Sequence, residues 1–406
     1  MAETRFSVPQ GEFDLIRHPP TRDPNLRAWD AADELILMHL AELVAVRSIR
    51  RVVVVNDAFG ALSAAVTAAL SEIEGAEVHF ASDSQLATLA MRQNLERNGL
   101  RLPTEWAITG EGGWEAVSGQ TESAAPPAAP PPEGVDAVLL KIPKTLALLE
   151  AQLVGLRKVL DRSSAFIGGA MTRDIHTSTL ELIERTVGPT HTTRARKKAR
   201  LALSEFDPDL SPAPPSPVLV PLGIGDAQLV NLPGVFSANR LDNGTRLLLD
   251  TLPSVSGSPD VIDLGCGNGA LGLAVLLQDA SARVTFIDES RLAVKSAEAS
   301  VLRAFRGSAS DDLSARIFRV ADCLDGTPDG SADLILCNPP FHQGRTEGDD
   351  IAWKMFVGAK RALRSGSELW VVGNRHLGYH QKLKRAVGNS QIMASDRKYQ
   401  VTRSIG

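Results

Sequence analysis

Cysteine is scarce: Cys266, Cys323 and Cys337 are the only three in 406 residues, and all lie in the second half. An odd, uneven set of this kind excludes a disulfide framework and a cysteine-built zinc cluster, and suits a reducing compartment. Aromatic residues are few, at 5%. No apolar run reaches the roughly 18 residues of a membrane-spanning helix. The opening MAETRFSVPQGEFDLIRHPP has neither a basic n-region nor an apolar h-region. The expected location is therefore cytoplasmic, with no membrane and no metal. A basic excess is missing too. The net charge of −5 argues against a nucleic-acid partner on average, although an average does not describe a local patch.

What is present is the composition of a globular protein, 43% hydrophobic and 22% charged. The length fits two domains of about 200 residues each. Two proline-rich stretches, 119–134 (GQTESAAPPAAPPPEG) and 207–217 (DPDLSPAPPSP), are too poor in apolar residues to pack a core. The first interrupts one α/β pattern and reads as a surface loop. The second has a complete pattern on either side and reads as a linker between domains 1–206 and 218–406.

Periodicity gives strand then helix, repeatedly, in both halves. Residues 51–55 and 77–81 read as strands, and 60–70 and 84–98 as helices. In the second half 261–264 and 283–287 read as strands, and 269–278 and 291–306 as helices. Such alternation predicts an α/β fold, mostly parallel sheets with helices on both faces. The halves also share wording. NDAFGALS at 56–63 stands where GCGNGALG stands at 265–272, Asp83 follows its strand as Asp288 does, and DAVLLKIPK at 136–144 parallels DLILCNPPF at 333–341. An old duplication explains this, as does the pattern common to any two units of this type.

The chemistry concentrates in the second half. VIDLGCGNGALG, from Val261, is a buried strand entering a glycine turn that opens a helix, with Gly265, Cys266, Gly267, Asn268 and Gly269 forming the turn. Glycines admit a ligand close to the backbone, and the helix start offers free N–H groups. A dinucleotide pyrophosphate would suit such a pole. Asp263 at the lip is a poor neighbour for pyrophosphate and a good one for the ammonium of a methionine moiety. Asp288 lies about 20 residues beyond the glycines, the spacing of a carboxylate that accepts from ribose hydroxyls. Asp322, after another strand-like run, is a candidate for an adenine amine or an ordinary turn aspartate. Asn338-Pro339-Pro340-Phe341 follows the apolar run 332–337. The prolines end the ladder and leave the carbonyls of Asn338 and Pro339 free. The Asn338 side-chain oxygen and the Pro339 carbonyl can then accept both hydrogens of a base amine and aim its lone pair at a methyl donor, with Phe341 stacked on the base. In-line displacement from a sulfonium needs neither a metal nor a covalent intermediate.

With these residues in place, DLGCGNG at 263–269 and NPPFH at 338–342, the chain resembles the S-adenosylmethionine-dependent ribosomal RNA guanine-N2 methyltransferases. NDAFGALS, PKTLALLE (143–150), RDIHTSTLE (173–181), LCNPPFHQ (336–343) and NRHL (374–377) extend the resemblance over nearly the whole length, nearest to the large-subunit branch. The resemblance implies two tandem Rossmann-like methyltransferase domains, of which only the second binds cofactor. It implies S-adenosylmethionine as cofactor and a guanine of 23S RNA as substrate. It assigns Asp263, Gly265, Gly267, Asp288 and Asp322 to the cofactor and Asn338, Pro339 and Phe341 to catalysis. It places 235–250 over the cofactor, with Phe236 as a candidate to close the pocket.

In the first half Asn56, Asp57, Ala58 and Phe59 put side chains where glycines would admit a cofactor, and Lys141-Ile142-Pro143-Lys144 replaces the base-gripping motif. That half is expected to be a degenerate copy with a structural role, an RNA-binding role, or both. RARKKAR brings Arg194, Arg196, Lys197, Lys198 and Arg200 together without an acid, and ten Lys or Arg stand against two acids from Lys360 onward. Either run suits phosphate contacts or a solvated face. Trp353, Tyr379 and His376 are candidates for base stacking or for the core. The alternatives are a small-subunit (16S) RNA substrate and a protein glutamine or DNA adenine amine; an RNA-binding protein with a vestigial cofactor fold describes the first domain well and the second badly, and a nicotinamide oxidoreductase is disfavoured because no proton-transfer His or Lys follows the fold in a recognisable place.

Overall fold

The computed structural model describes residues 3–21, 23–117, 134–237, 239–306, 316–340 and 346–406, without the side chains of 346–349. Most of the first proline-rich stretch and Phe341 lie outside the described residues. The chain forms two units, Met1–Ser216 and Pro217–Gly406. Among the described residues no helix is long and apolar enough to cross a membrane, and no cluster of His, Cys, Asp or Glu would hold a metal ion.

Unit one begins with a hairpin of β1 (Arg5–Val8) and β2 (Gly11–Asp14). It continues α1 (Ala31–Val44), β3 (Arg51–Val55), α2 (Ala61–Leu70), β4 (Glu77–Ala81), α3 (Gln85–Arg97), β5 (Thr104–Ile108), β6 (Trp114–Ala116), β7 (Ala137–Lys141), α4 (Leu146–Leu156), β8 (Ala165–Met171), α5 (Thr177–Thr186), β9 (Thr190–Thr192) and β10 (Ala199–Ser204). Its eight-stranded sheet runs β6-β5-β4-β3-β7-β8-β10-β9. The five strands from β5 to β8 are parallel, and the edges β6, β10 and β9 are antiparallel. RVVVV in β3 is β-branched and has its four valines buried, as a central parallel strand covered on both faces requires.

Unit two repeats the plan. A hairpin of β11 (Val218–Pro221) and β12 (Gln228–Asn231) precedes α6 (Asn243–Leu249), β13 (Asp260–Leu264), α7 (Ala270–Gln278), β14 (Arg283–Asp288), α8 (Arg291–Phe305), β15 (Arg316–Val320), β16 (Ala332–Cys337), α9 (Thr346–Ala362), β17 (Leu363–Asn374), α10 (Tyr379–Ala386), β18 (Gln391–Ser395) and β19 (Tyr399–Ile405). The sheet order is β15-β14-β13-β16-β17-β19-β18. Helices α6, α7 and α8 pack on one face through Leu248, Leu273 and Val301, and α9 and α10 on the other through Phe356 and Leu383. The expected α/β fold with mostly parallel sheets is thus found twice, with the same strand order apart from the additional edge strand β6.

Register aligns the two sheets residue by residue. Val55 is paired with Ala81 and Leu140, and Leu264 with Ile287 and Cys337. Continuing one residue beyond these rows, Asn56 stands at the place of Gly265, Lys141 at the place of Asn338, and Ser82, not Asp83, at the place of Asp288. The expected equivalence of Asp83 and Asp288 is therefore off by one. Side-chain bonding agrees: Ser84 N donates to Ser82 Oγ at 3.1 Å where Ser290 N donates to Asp288 Oδ1 at 3.0 Å. Gly60 and Gly269 coincide as helix N-caps at φ +81° and +80°. A Cβ on either would come within 3 Å of backbone on the next helix, Met91 or Ala297, so both positions are confined to glycine by packing as well as by φ.

Candidate active site at the carboxyl edge of the second sheet

The order of the second sheet reverses at β13, whose neighbours β14 and β16 carry the chain away in opposite directions, and such a switch point leaves a crevice at the carboxyl ends of the strands. The glycine loop follows β13 into it. Gly265 N and Cys266 N donate to Ile287 O at 2.8 and 3.0 Å and fix the loop to β14. Gly265 and Gly267 both have positive φ, +71° and +52°. A Cβ at Gly267 would meet nothing within 4 Å among the described residues, and one at Gly265 would approach Met355 Cε at 3.2 Å and Asn338 O at 3.9 Å. Beside Gly267 the loop therefore borders open space, and beside Gly265 only the flexible end of Met355 intrudes on the side facing Asn338.

Asp288 Oδ2 accepts from Gly267 N at 3.0 Å, which sets its carboxylate beneath the loop. Asp322 is buried, and Lys354 of α9 reaches it at 2.7 Å. Asp263 is not at an open lip, as its position in the sequence suggests. It is 1% exposed and accepts the α7 amide of Gly272 at 2.8 Å. Burial pushes its carboxyl up to about 8, and the nearby Asp288 pushes the same way, against the pull of the Gly272 amide. The Cys266 thiol is buried, and Asn268 Nδ2 donates to Asn231 Oδ1 at 2.8 Å, tying the loop to β12. Phe236, expected to close a pocket, is 65% exposed.

Asn338 shows the most distinctive geometry. Its Nδ2 donates to Thr245 Oγ1 at 2.8 Å and to Asp242 Oδ2 at 3.3 Å. Asp242 is the N-cap of α6 and also accepts from Thr245 N at 3.0 Å, so the cap and the third residue of one helix grip one amide. A carboxylate only accepts, which settles the amide orientation: the nitrogen faces α6 and the oxygen faces away. That oxygen, Oδ1, is buried and has no hydrogen-bond partner among the described residues. A buried acceptor left unpaired costs about 1–3 kcal/mol, a cost a fold does not retain at random. The sequence does not mark Asp242 and Thr245 as holders of Asn338. The D-x-x-T spacing of a helix cap is the only local signal for them, and it does not say what else the cap binds. Pro339 and Pro340 follow directly. The stacking expected of Phe341 concerns a residue outside the described residues.

In unit one the same places are filled. Lys141 Nζ sits 2.7 Å from Asp30 Oδ1 and 2.8 Å from Asp33 Oδ1, the N-cap and third residue of α1. Asn56 Nδ2 donates to Lys141 O at 3.0 Å, and Asn56 and Gln152 exchange two amide bonds of 2.8 Å each. The space that Gly265 leaves open in unit two is thereby occupied. Asp57 holds the Ser63 amide at 2.7 Å, the bond that Asp263 makes with Gly272.

The basic candidates divide. Arg194, Arg196, Lys197 and Lys198 are exposed, while Arg200 is half-buried in β10. Lys197 pairs with Glu34 at 2.6 Å, and Arg196 reaches Met38 Sδ at 3.1 Å, so part of this charge is neutralised or packed. Near the C-terminus Arg364 bridges Asp260 and Asp333, and Arg403 pairs with Glu368. Tyr379 is in the core, whereas Trp353 is 41% exposed and His376 is exposed.

Comparison with known proteins follows this division. Residues 3–208 match the RLMG N-terminal domain and 226–403 the methyltransferase small domain. The chain is 45% identical to the ribosomal RNA large subunit methyltransferase G of Streptomyces coelicolor, covering 98% of this chain and 100% of that protein. It is 40% identical to that of Pseudomonas paraeruginosa, covering 98% and 99%. Among solved structures it is similar to the T. thermophilus 16S rRNA N2 guanine methyltransferase RsmC, in complex with AdoMet and guanosine. That match has a TM-score of 0.71 over 99% of this chain and 97% of the other, and at 22% identity it concerns the fold. With both units matched and relatives alike from end to end, the chain belongs to the ribosomal RNA large subunit methyltransferase G family.

Proposed function

We propose that unit two transfers a methyl group from S-adenosylmethionine to the exocyclic N2 amine of a guanine in 23S ribosomal RNA, and that unit one is a non-catalytic copy. The observation that carries this reading is the buried, unpartnered Oδ1 of Asn338, held in orientation by Asp242 and Thr245. An amine nitrogen conjugated to a ring is a poor nucleophile. With one hydrogen on Asn338 Oδ1 and the other on the Pro339 carbonyl, its lone pair is turned out of the ring plane toward the loop side of the crevice.

The room beside Gly265 and Gly267, with Asp288 beneath it, fits a methionine and ribose moiety, and the equivalent room in unit one is closed by Asn56 and Gln152. Asp263 supports the loop through Gly272, and Asp322 stands at the next strand end for the adenine. Cys266, Asn268 and Gly269 contribute backbone. When bound, the cofactor supplies a methyl group already activated on a sulfonium, so the work left to the protein is positioning. Asn338 and Pro339 orient the amine, and Phe341 is assigned to the plane of the base. The relatives' large-subunit names support 23S RNA as the partner, cytoplasmic in location, and the exposed members of 194–198 are proposed phosphate contacts.

Labelled S-adenosylmethionine incubated with ribosomal RNA from cells lacking this protein tests the reading. N2-methylguanosine in 23S RNA is expected. Label in 16S RNA alone, or in another nucleoside, would overturn the assignment.

A further inference from the structure

We infer that Asn374 selects guanine, its side-chain oxygen accepting the N1–H of the base whose N2 amine Asn338 holds. This rests on the guanine-N2 reading above and adds the group that recognises the base.

Asn374 is the last residue of β17, 5% exposed, and its Oδ1 is buried without a hydrogen-bond partner among the described residues, as is that of Asn338. Cys337 pairs with Val371, so Asn338 falls level with Val372 and Asn374 lies two residues further along the neighbouring parallel strand. At about 4.8 Å between strands and 3.3 Å per residue, the two Cα atoms are roughly 8 Å apart. They share a face. Val372 packs with Leu248 and Leu336 on the α6 side, and alternation returns Asn374 to that side. Its cross-strand partner Tyr399 belongs to the same core, and a Cβ on Gly244 would lie 3.2 Å from the Tyr399 ring. Gly244 stands between Asp242 and Thr245, the two residues that grip Asn338. Two orphaned amide oxygens therefore sit on one side of one sheet edge, around one helix cap.

Base chemistry gives the pair a meaning. The N2 amine of guanine is flanked by N1–H, a donor. The amines of adenine and cytosine are flanked by ring nitrogens with lone pairs, which only accept. A second acceptor beside the one that holds the amine attracts guanine and opposes the others. The Asn374 Nδ2 is then placed to donate to guanine O6. A site built around such bonds rejects an analogue that cannot make them far more strongly than an apolar pocket does, because its own buried groups are left unpaired.

The test uses the full chain and RNA fragments carrying guanine or 2-aminopurine at the methylated position. 2-Aminopurine keeps the N2 amine but has neither N1–H nor O6. The wild type is expected to prefer guanine by at least a hundredfold in kcat/KM. Asn374→Leu should lower the guanine rate about a hundredfold, leave 2-aminopurine within about threefold, and keep cofactor affinity, so that the preference collapses. Asn374→Asp, which keeps an acceptor, should retain more preference than the leucine variant. A wild type that accepts both bases equally overturns the inference without any variant. So does an equal loss on both bases in Asn374→Leu, which would mark a structural role. Absence of methylation of any guanine by the wild type would instead fell the underlying guanine-N2 reading.

Discussion

Lys141 and Asn338 occupy the same place in two copies of one fold, and each is held by the N-cap and third residue of an equivalent helix, Asp30 with Asp33 and Asp242 with Thr245. The grip is shared and the gripped group differs. An ammonium between two carboxylates is a finished interaction, whereas an amide held by its nitrogen leaves an oxygen to offer.

Removing the charge from unit one tests the finished interaction. Burial opposes the Lys141 charge, but Asp33 and Asp30 outweigh it and raise the ammonium's pKa. Lys141→Met should destabilise unit one by about 3 kcal/mol at pH 8, where Asp33 is ionised in the wild type and loses, together with the half-exposed Asp30, its buried cation. The loss should shrink toward pH 5, because Asp33, held up to about 7 mainly by burial, is protonated there. Urea unfolding at the two pH values measures it. A loss independent of pH would mean that packing and not charge is responsible.

Gly265→Asn would write the unit-one loop into unit two. Asn56 already adopts φ +60° at the equivalent position, and Asn tolerates this region better than most residues, so the fold should survive. The new side chain enters the space beside Met355 and the Asn338 carbonyl. Cofactor affinity should fall at least a hundredfold by calorimetry, with the melting temperature nearly unchanged. Undiminished affinity would remove the cofactor from this crevice.

Thr245→Val deletes the shorter of the two bonds to Asn338 Nδ2 at constant shape. Freed to rotate, the amide should lose roughly tenfold in kcat, with cofactor binding intact and recovery in Thr245→Ser. A drop in RNA affinity at constant kcat would argue against this positioning role.

Asp263 links pH to stability in a direction opposite to that of an ion-paired carboxylate. Its folded pKa of about 8 exceeds the ordinary 3.8, so between these values the native state holds a proton that the unfolded chain releases. Its contribution to stability therefore falls as pH rises from 4 to 8 and is level above, by at most about 1.4 kcal/mol per pH unit. Asp263→Asn keeps an acceptor for Gly272 and should flatten this part of the profile. An unchanged profile would mean that Asp263 is ionised throughout.

Much of this was legible in the sequence because it is local. β-branched runs such as 51–55 and the helical periods at 84–98 and 291–306 give the strands and helices to within about a residue, and the Asn338 motif marks itself by its two prolines. The Asp242 and Thr245 grip was not legible, since it joins residues far apart in sequence that only the sheet brings together. Asp83 misled because a neighbouring acid looks the same in a string, while register separates it from Ser82. Phe236 and Tyr379 show the same limit from the other side: an aromatic residue near a motif says nothing of whether it meets solvent, ligand or core.

The uncovered oxygen of Asn338 also bears on how the enzyme melts. Part of the stability of unit two is withheld as long as that acceptor lacks a donor, and in the function proposed above a base bearing an amine would supply it. Substrate should therefore act as a folding ligand for the catalytic unit, raising its unfolding temperature. In Asn338→Leu, where no acceptor remains to be satisfied, the substrate-induced rise should vanish.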